Sequence, residues 1–195
     1  MVFSKIEAEK VHPLSLHSQL KIGNLLFELR RYNSGTGLDP GYRPGMEDGL
    51  VIEEDVGGSE WKLISLFAVL DGHGGPECME FVRDGLVDKV RAWTPLLDEA
   101  GDLNEMIKIL MNKTFFELDY EFLQKHPELA QTCGATGLVL LIIESKAFVF
   151  SLGDCKGYTL RSDVLYQLNL DHLPCLLYTS PSPRDQRGSR MPSSA

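Results

Sequence analysis

Trp61-Lys-Leu-Ile-Ser-Leu-Phe-Ala-Val-Leu70 runs directly into Asp71-Gly-His-Gly-Gly75, and the reading of this stretch decides the fold. Trp61, Leu63, Phe67 and Val69 fall on one alternating side, and Ile64, Leu66, Ala68 and Leu70 fall on the other. A strand that is apolar on both sides is a central one, covered above and below. The strand is expected to end at Leu70, because Asp-Gly-His-Gly-Gly is a run of local breakers. Pro76 then sits where helices like to begin. Met79, Val82, Leu86, Val90 and Trp93 recur at spacings of three and four and write one apolar helical stripe. Leu103, Ile107, Met111, Phe115, Leu118 and Phe122 write a second, with Asp102 as its cap. Both stripes are core rather than cofactor grooves.

Gly137–Glu144 and Lys146–Leu152 read as a hairpin turning near Ser145, and Gly157–Leu160 with Val164–Leu168 as another around Arg161-Ser162-Asp163. Upstream, Gly49–Val56 reads as a strand ended by Gly57-Gly58, after a loop of turn formers from Asn33 to Gly45. Leu25–Tyr32 reads as a first strand, and residues 1–22 as an amino-terminal arm. Strands, two long helices and then consecutive hairpins make an antiparallel α+β arrangement rather than alternating βαβ units. No internal repeat is visible.

With 195 residues, 43% of them hydrophobic, the chain suffices for one domain that buries about 70% of its extended surface. No apolar run approaches the roughly 20 residues of a membrane helix, and the first residues lack the pattern of a secretory signal. Net charge is −9 with no local basic patch, which argues against nucleic acid and anionic membranes as partners. Cys78, Cys133, Cys155 and Cys175 form no C-x-x-C pair, so they read as reduced thiols of a cytoplasmic or nuclear protein. From Pro174 the composition changes to PCLLYTSPSPRDQRGSRMPSSA, rich in serine, proline and arginine without helical or strand period. Residues 174–195 are therefore expected to be a disordered, non-native tail, and the domain to occupy residues 23–173.

There is no phosphate-binding G-x-x-x-x-G-K-[ST] loop, no G-x-S-x-G elbow and no H-E-x-x-H pair. The Asn112-Lys-Thr114 sequon lies on the second helix and is a chance match. What remains is concentrated in two places. Arg43, Glu47 and Asp48 lie in a loop rich in glycine and proline just before a strand, and Asp71, Gly72 and His73 close the most buried one. Adjacent acids at a strand end are costly to desolvate unless a cation neutralises them. Oxygen ligands from two loops suit Mg²⁺ or Mn²⁺, glycine lets backbone approach an ion or phosphate closely, and arginine offers a fork matched to phosphate.

Arg43-Pro-Gly-Met-Glu47-Asp48 resembles the R-x-x-M-E-D segment of the metal-dependent serine/threonine protein phosphatases of type 2C, the PPM family. Phe67–Gly75 resembles that family's F-A-V-x-D-G-H-G-G block. Cys133-Gly-Ala-Thr136 resembles its S-G-[ST]-T segment, Gly153-Asp154-Cys155-Lys156 its G-D-S-R/K segment, and Asp171-His172 the D-H that follows. The resemblance implies an antiparallel β-sandwich flanked by helices, with two divalent ions, Mg²⁺ or Mn²⁺, at one end between the sheets. It implies hydrolysis of phosphoserine and phosphothreonine in phosphoprotein substrates by a water or hydroxide bridging those ions. On that analogy Asp71 bridges both ions, and Glu47 with the Gly72 carbonyl holds one. Asp48 orients metal-bound water, Asp154 contacts a further ion, Arg43 clamps the phosphate and His73 protonates the leaving alkoxide.

The chain departs from the family pattern where Cys133 and Cys155 stand for serines and where Pro44 follows the arginine. The family's later aspartate-bearing segments do not follow Leu173, so the expectation is a truncated, inactive piece of a phosphatase. The competing expectation is a non-catalytic phosphatase-like module that binds or regulates a partner. The survival of Arg43, Glu47, Asp48, Asp71 and His73 favours the enzyme.

Overall fold

The protein is described by a computed structural model covering residues 11–13, 18–22, 25–29, 34–42, 45–59 and 62–170. Trp61, Arg43, Asp171-His172 and the expected tail 174–195 lie outside the described residues. The elements are β1 (Val11–Pro13), β2 (Ser18–Ile22), β3 (Leu25–Leu29), β4 (Asp48–Glu53), β5 (Ile64–His73), α1 (Glu77–Trp93), α2 (Leu103–Lys125), β6 (Gly134–Ile143), β7 (Lys146–Leu152), β8 (Tyr158–Arg161) and β9 (Val164–Gln167). A five-stranded sheet in the order β1-β7-β6-β5-β4 carries the molecule, and all its pairings are antiparallel. β2 with β3 and β8 with β9 form separate two-stranded ribbons. This is the antiparallel α+β architecture that the order of elements predicts. β1 and β2 lie within the stretch read as an arm, and β1 extends the sheet by pairing with β7.

β5 does not stop at Leu70. It continues through Asp71 and Gly72 to His73, because β6 supplies partners all the way, with Asp71 opposite Thr136, Gly72 opposite Ala135 and His73 opposite Gly134. β6 correspondingly starts at Gly134, three residues before the strand read from its apolar run. Both ends of this pair are set by a ladder that local sequence does not show.

The two helices cover one face of the sheet. Ile64, Leu66, Ala68 and Leu70 of β5 point into them and are buried. Met79, Leu86, Val90 and Trp93 of α1 meet Ile107, Met111, Phe115 and Leu118 of α2 in the same core. Complete burial of one such aliphatic side chain contributes roughly 1.5–3 kcal/mol. α2 starts where Asp102 Oδ1 accepts from the amides of Asn104 (2.9 Å) and Glu105 (3.3 Å), which satisfies two otherwise orphaned donors. The Trp93 indole donates to Thr114 Oγ1 at 3.0 Å, tying the end of α1 to the middle of α2. Phe81, Phe122 and His126 pack ring on ring at the other end, with centroids 5.3–6.1 Å apart.

The opposite face is different. Val69 and Ile52 are 46% and 44% exposed there, so β5 is not covered on both sides as its composition predicts. The β4–β5 register places Leu50 beside Val69 and Ile52 beside Phe67 on this open face, and Asp48 beside Asp71 at its end. The β8–β9 ribbon is also exposed, with Leu160 and Leu165 both largely in solvent. Its two-residue turn, Ser162-Asp163, has positive φ at both positions, as a tight hairpin requires. Buried Asn169 closes its base by accepting from Gly157 N–H (2.8 Å) and donating to the Cys155 carbonyl (2.9 Å).

Candidate functional site

Asp48 opens β4, and antiparallel pairing sets it directly opposite Asp71. Like charges facing each other across two strands oppose the pairing, so this arrangement suits a place where a cation comes between them. Glu47 is held by two backbone donors from the chain beyond Asp71. Gly72 N–H donates to the Glu47 carbonyl at 3.0 Å, and Gly75 N–H donates to Glu47 Oε1 at 2.9 Å. Glycine is needed at both donors. A Cβ on residue 72 would stand 2.5 Å from the Glu47 carbonyl oxygen, and residue 75 has a φ of +125°. The Gly-His-Gly-Gly run therefore does more than end a strand: it folds back to fix the orientation of Glu47.

Asp39, Glu47, Asp48 and Asp71 line a cleft of about 210 Å³ together with Pro40, Gly45 and Met46. Among the described residues four carboxylates line it and no lysine, arginine or histidine does. Asp39 is the member that sequence reasoning missed. Its local pattern signals only a turn, and its Oδ1 does accept from Gly41 N–H at 2.8 Å. Only the return of the loop toward β4 brings it to the cleft.

Of the residues expected to bind metal, the structure brings Glu47, Asp48 and Asp71 to one cleft, with Gly72 directly behind Glu47. Asp154 is exposed in the turn after β7 and does not line the cleft. His73 lies at the end of β5, two residues beyond Asp71 and thus on the same face of the strand, but outside the lining set. Arg43 is outside the described residues. Cys155 lies within reach of the charges of Asp71 and Asp154. Its thiol lies 3.2 Å from Thr136 Oγ1, and Thr136 is the cross-strand partner of Asp71. Burial pushes the Cys155 thiol up, the Thr136 hydrogen bond opposes this, and the negative charges of Asp71 and Asp154 add to it.

The donor chemistry of the cleft fits a hard divalent cation, since Mg²⁺ and Mn²⁺ take carboxylate, carbonyl and water oxygens. Among the described residues no three carboxylate, imidazole or thiol groups converge tightly enough to hold an ion by themselves. The fit is thus one of charge and oxygen donors, without a closed set of ligands.

The family model for protein phosphatase 2C matches residues 35–177. The chain is 30% identical over 135 residues to "Probable protein phosphatase 2C 55" of Oryza sativa subsp. japonica, covering 69% of this chain and 33% of that protein. It is 26% identical over 152 residues to "Probable protein phosphatase 2C 45" of the same plant, covering 78% of this chain and 50% of the relative. The chain therefore spans between a third and a half of the length of these curated relatives. The solved serine-threonine phosphatase 2C of Toxoplasma gondii shares the fold, with a TM-score of 0.56 at 18% identity over 71% of this chain and 49% of that one.

Proposed function

We propose, because this chain belongs to the protein phosphatase 2C family, that it carries the amino-terminal part of a metal-dependent protein serine/threonine phosphatase, acting on phosphoserine and phosphothreonine in protein substrates. The observation that carries this reading is the pairing of Asp48 with Asp71 in a cleft that Glu47 and Asp39 complete. Bound there, Mg²⁺ or Mn²⁺ would screen the phosphate's charge and acidify water.

The rest is the work of the chain's own groups. Asp71 and Asp48 present oxygens from two adjacent strands, and Gly75 N–H holds the carboxylate of Glu47 at the cleft. Arg43 binds the phosphate oxygens through its planar fork. His73 gives its proton to the departing serine or threonine oxygen, general-acid work that imidazole side chains commonly do. Asp154 acts at the margin of the site, on a further, weaker ion. The cell compartment that suits this chemistry and the free thiols is the cytoplasm or nucleus.

A second reading, a phosphatase-like module that binds a partner without turnover, draws support from the absence of a closed ligand set among the described residues and from the chain's span of its relatives. One assay separates the two. The 195-residue chain, and any longer product that its gene encodes, are each given a phosphothreonine peptide with Mn²⁺, and then EDTA. The expected outcome is Mn²⁺-dependent turnover by the longer product, abolished by EDTA, and almost none by the 195-residue chain. Turnover that persists in EDTA would overturn the metal-dependent mechanism. Absence of turnover by either would favour the binding module.

A further inference from the structure

The segment after β7 turns back onto the open side of the sheet and lies against β6, while β4 and the end of β5 stay uncovered. Gly153 approaches Thr136 so closely that a Cβ on residue 153 would stand 2.5 Å from Thr136 Cγ2. Cys155 Sγ lies 3.2 Å from Thr136 Oγ1. A Cβ on Gly157 would stand 2.9 Å from Leu138 Cδ2, two residues further along the same face of β6. Buried Asn169 pins this segment, donating to the Cys155 carbonyl and accepting from Gly157 N–H. The Cys155 thiol is thus held on Thr136 by backbone that is itself anchored.

Thr136 is the cross-strand partner of Asp71, and Asp48 is the partner of Asp71 on its other side. Asp48, Asp71 and Thr136 therefore make one row across three strands, with their side chains on one face and neighbouring Cβ atoms roughly 4.5–5.5 Å apart. The row is unbalanced. On one side of Asp71 stands a like charge that pushes its carboxylate away. On the other stands Thr136, with the Cys155 thiol at its hydroxyl. The ladder fixes the Asp71 backbone but leaves its side chain a choice of rotamers. Thr136, held by Cys155, limits how far the carboxylate swings toward β6 and away from Asp48. Cys155 and Asp71 are close enough for the charge and the main chain of Asp71 to act on the thiol.

We propose that Cys155 is a positioning residue for the cation of the acidic cleft: through Thr136 it holds the Asp71 carboxylate beside Asp48 against their mutual repulsion. A cation arriving there meets paired oxygens already in place. The proposal rests on the reading of the cleft as a site for Mg²⁺ or Mn²⁺. Groups that orient a metal ligand are typically worth roughly 10–100-fold in affinity. A thiol is a weak hydrogen-bonding group, so the effect expected of Cys155 is about tenfold, at the low end of that range.

The test measures Mn²⁺ binding to the 195-residue chain from the electron paramagnetic resonance of the free ion, with Asp71→Asn as the background. Cys155→Ala should weaken binding about tenfold. Cys155→Ser keeps a donor and an acceptor and should stay within about twofold of the unaltered chain, and this rescue separates a lost contact from a general loosening. Thr136→Val should match Cys155→Ala, and the double variant should be worse than either by no more than about twofold, because both act through one contact. Fully additive losses would overturn the proposal. So would unchanged binding in Cys155→Ala, or a loss in Cys155→Ser as large as in Cys155→Ala. An unaltered chain that binds Mn²⁺ no better than Asp71→Asn would overturn the reading of the cleft itself, and the proposal with it. If Cys155→Ala failed to fold, the folded chain is capped with methyl methanethiosulfonate: the thiol sulfur bonds to the CH₃S group, and methanesulfinate and the thiol proton leave. Capping should weaken Mn²⁺ binding, and exchange with dithiothreitol, which leaves oxidised, should restore it. The same treatment of Cys155→Ser should change nothing. Capping without effect on the unaltered chain, or with equal effect on Cys155→Ser, refutes the role of Cys155. None of these readouts requires phosphatase turnover.

Discussion

The two faces of the five-stranded sheet are made of the same kinds of residue and have different fates. On one, Leu66 and Leu70 are sealed beneath α1 and α2; on the other, Val69 and Ile52 remain close to half exposed. The acids of the cleft belong to the second face, since Asp71 follows Phe67 and Val69 in the same alternation. Stability is therefore concentrated on the helix side, and the chemistry is placed at the margin of the open side. An apolar face of this kind is written for cover, and the relatives are two to three times as long as the part of them this chain spans. The cleft at the end of the open face is therefore the part of the domain with the least packing behind it.

The sharpest way to break this comparison is to remove a carboxylate from the open side. In any active form of the protein, Asp71→Asn should reduce turnover of a phosphothreonine peptide by more than His73→Gln. On the proposed mechanism Asp71 would belong to the paired acids that attract a cation, whereas His73 would supply one proton, a role typically worth roughly 10²–10⁴-fold. Circular dichroism should show both variants folded, because neither side chain belongs to the core. A reversed ranking would take Asp71 out of the centre of the site.

The next largest effect belongs to the sealed side. Leu86 of α1 is fully buried, and Leu86→Ala should cost about 2–5 kcal/mol of stability through lost burial and the cavity left behind. Val69→Thr, on the same sheet but facing outward, should change stability by less than about 0.5 kcal/mol. Chemical denaturation of the two variants measures the contrast. Comparable losses would mean that the open face is covered in solution.

Gly72 lies on the seam between these regions, and there the expected effect is intermediate. Gly72→Ala pushes a methyl group toward the Glu47 carbonyl and the Met79 side chain, an overpacking that should cost roughly 1–3 kcal/mol. It should also weaken Mn²⁺ binding, since Glu47 is oriented through that same contact. Unchanged Mn²⁺ titrations would show that the backbone of Gly72 does not position Glu47.

The helices were legible in the sequence because their stripes repeat every three or four residues and Asp102 caps the second one, all of it local information. The gathering of Asp48 and Asp71 was legible from acids set beside glycines. Strand ends were less so: β5 and β6 each run past their apolar blocks because Asp71, Gly72 and His73 find ladder partners more than 60 residues away in Thr136, Ala135 and Gly134. Asp39 was invisible for a related reason, since only the folded loop carries it to the cleft. Asp154 shows the converse, a residue legible by motif that the fold leaves in solvent outside that cleft.

The smallest expected effect is again on the helix side, at Asp119. Desolvation raises its carboxyl pKa above the ordinary value, so the folded state holds this proton more tightly than the unfolded chain does. Above the folded-state pKa the group is charged in both states, and folding bears the cost of taking that charge partly out of water. Below the unfolded-state pKa it is neutral in both and the cost is gone. Asp119→Asn, which has the shape without the charge, should therefore raise the melting temperature at pH 7, by about one or two degrees for a half-exposed position. The gain should fade as pH is lowered through the acidic carboxylate range and vanish below it. Thermal melts of the two proteins across that range check this. A variant less stable than the unaltered chain at neutral pH would mean that the Asp119 charge is compensated in solution.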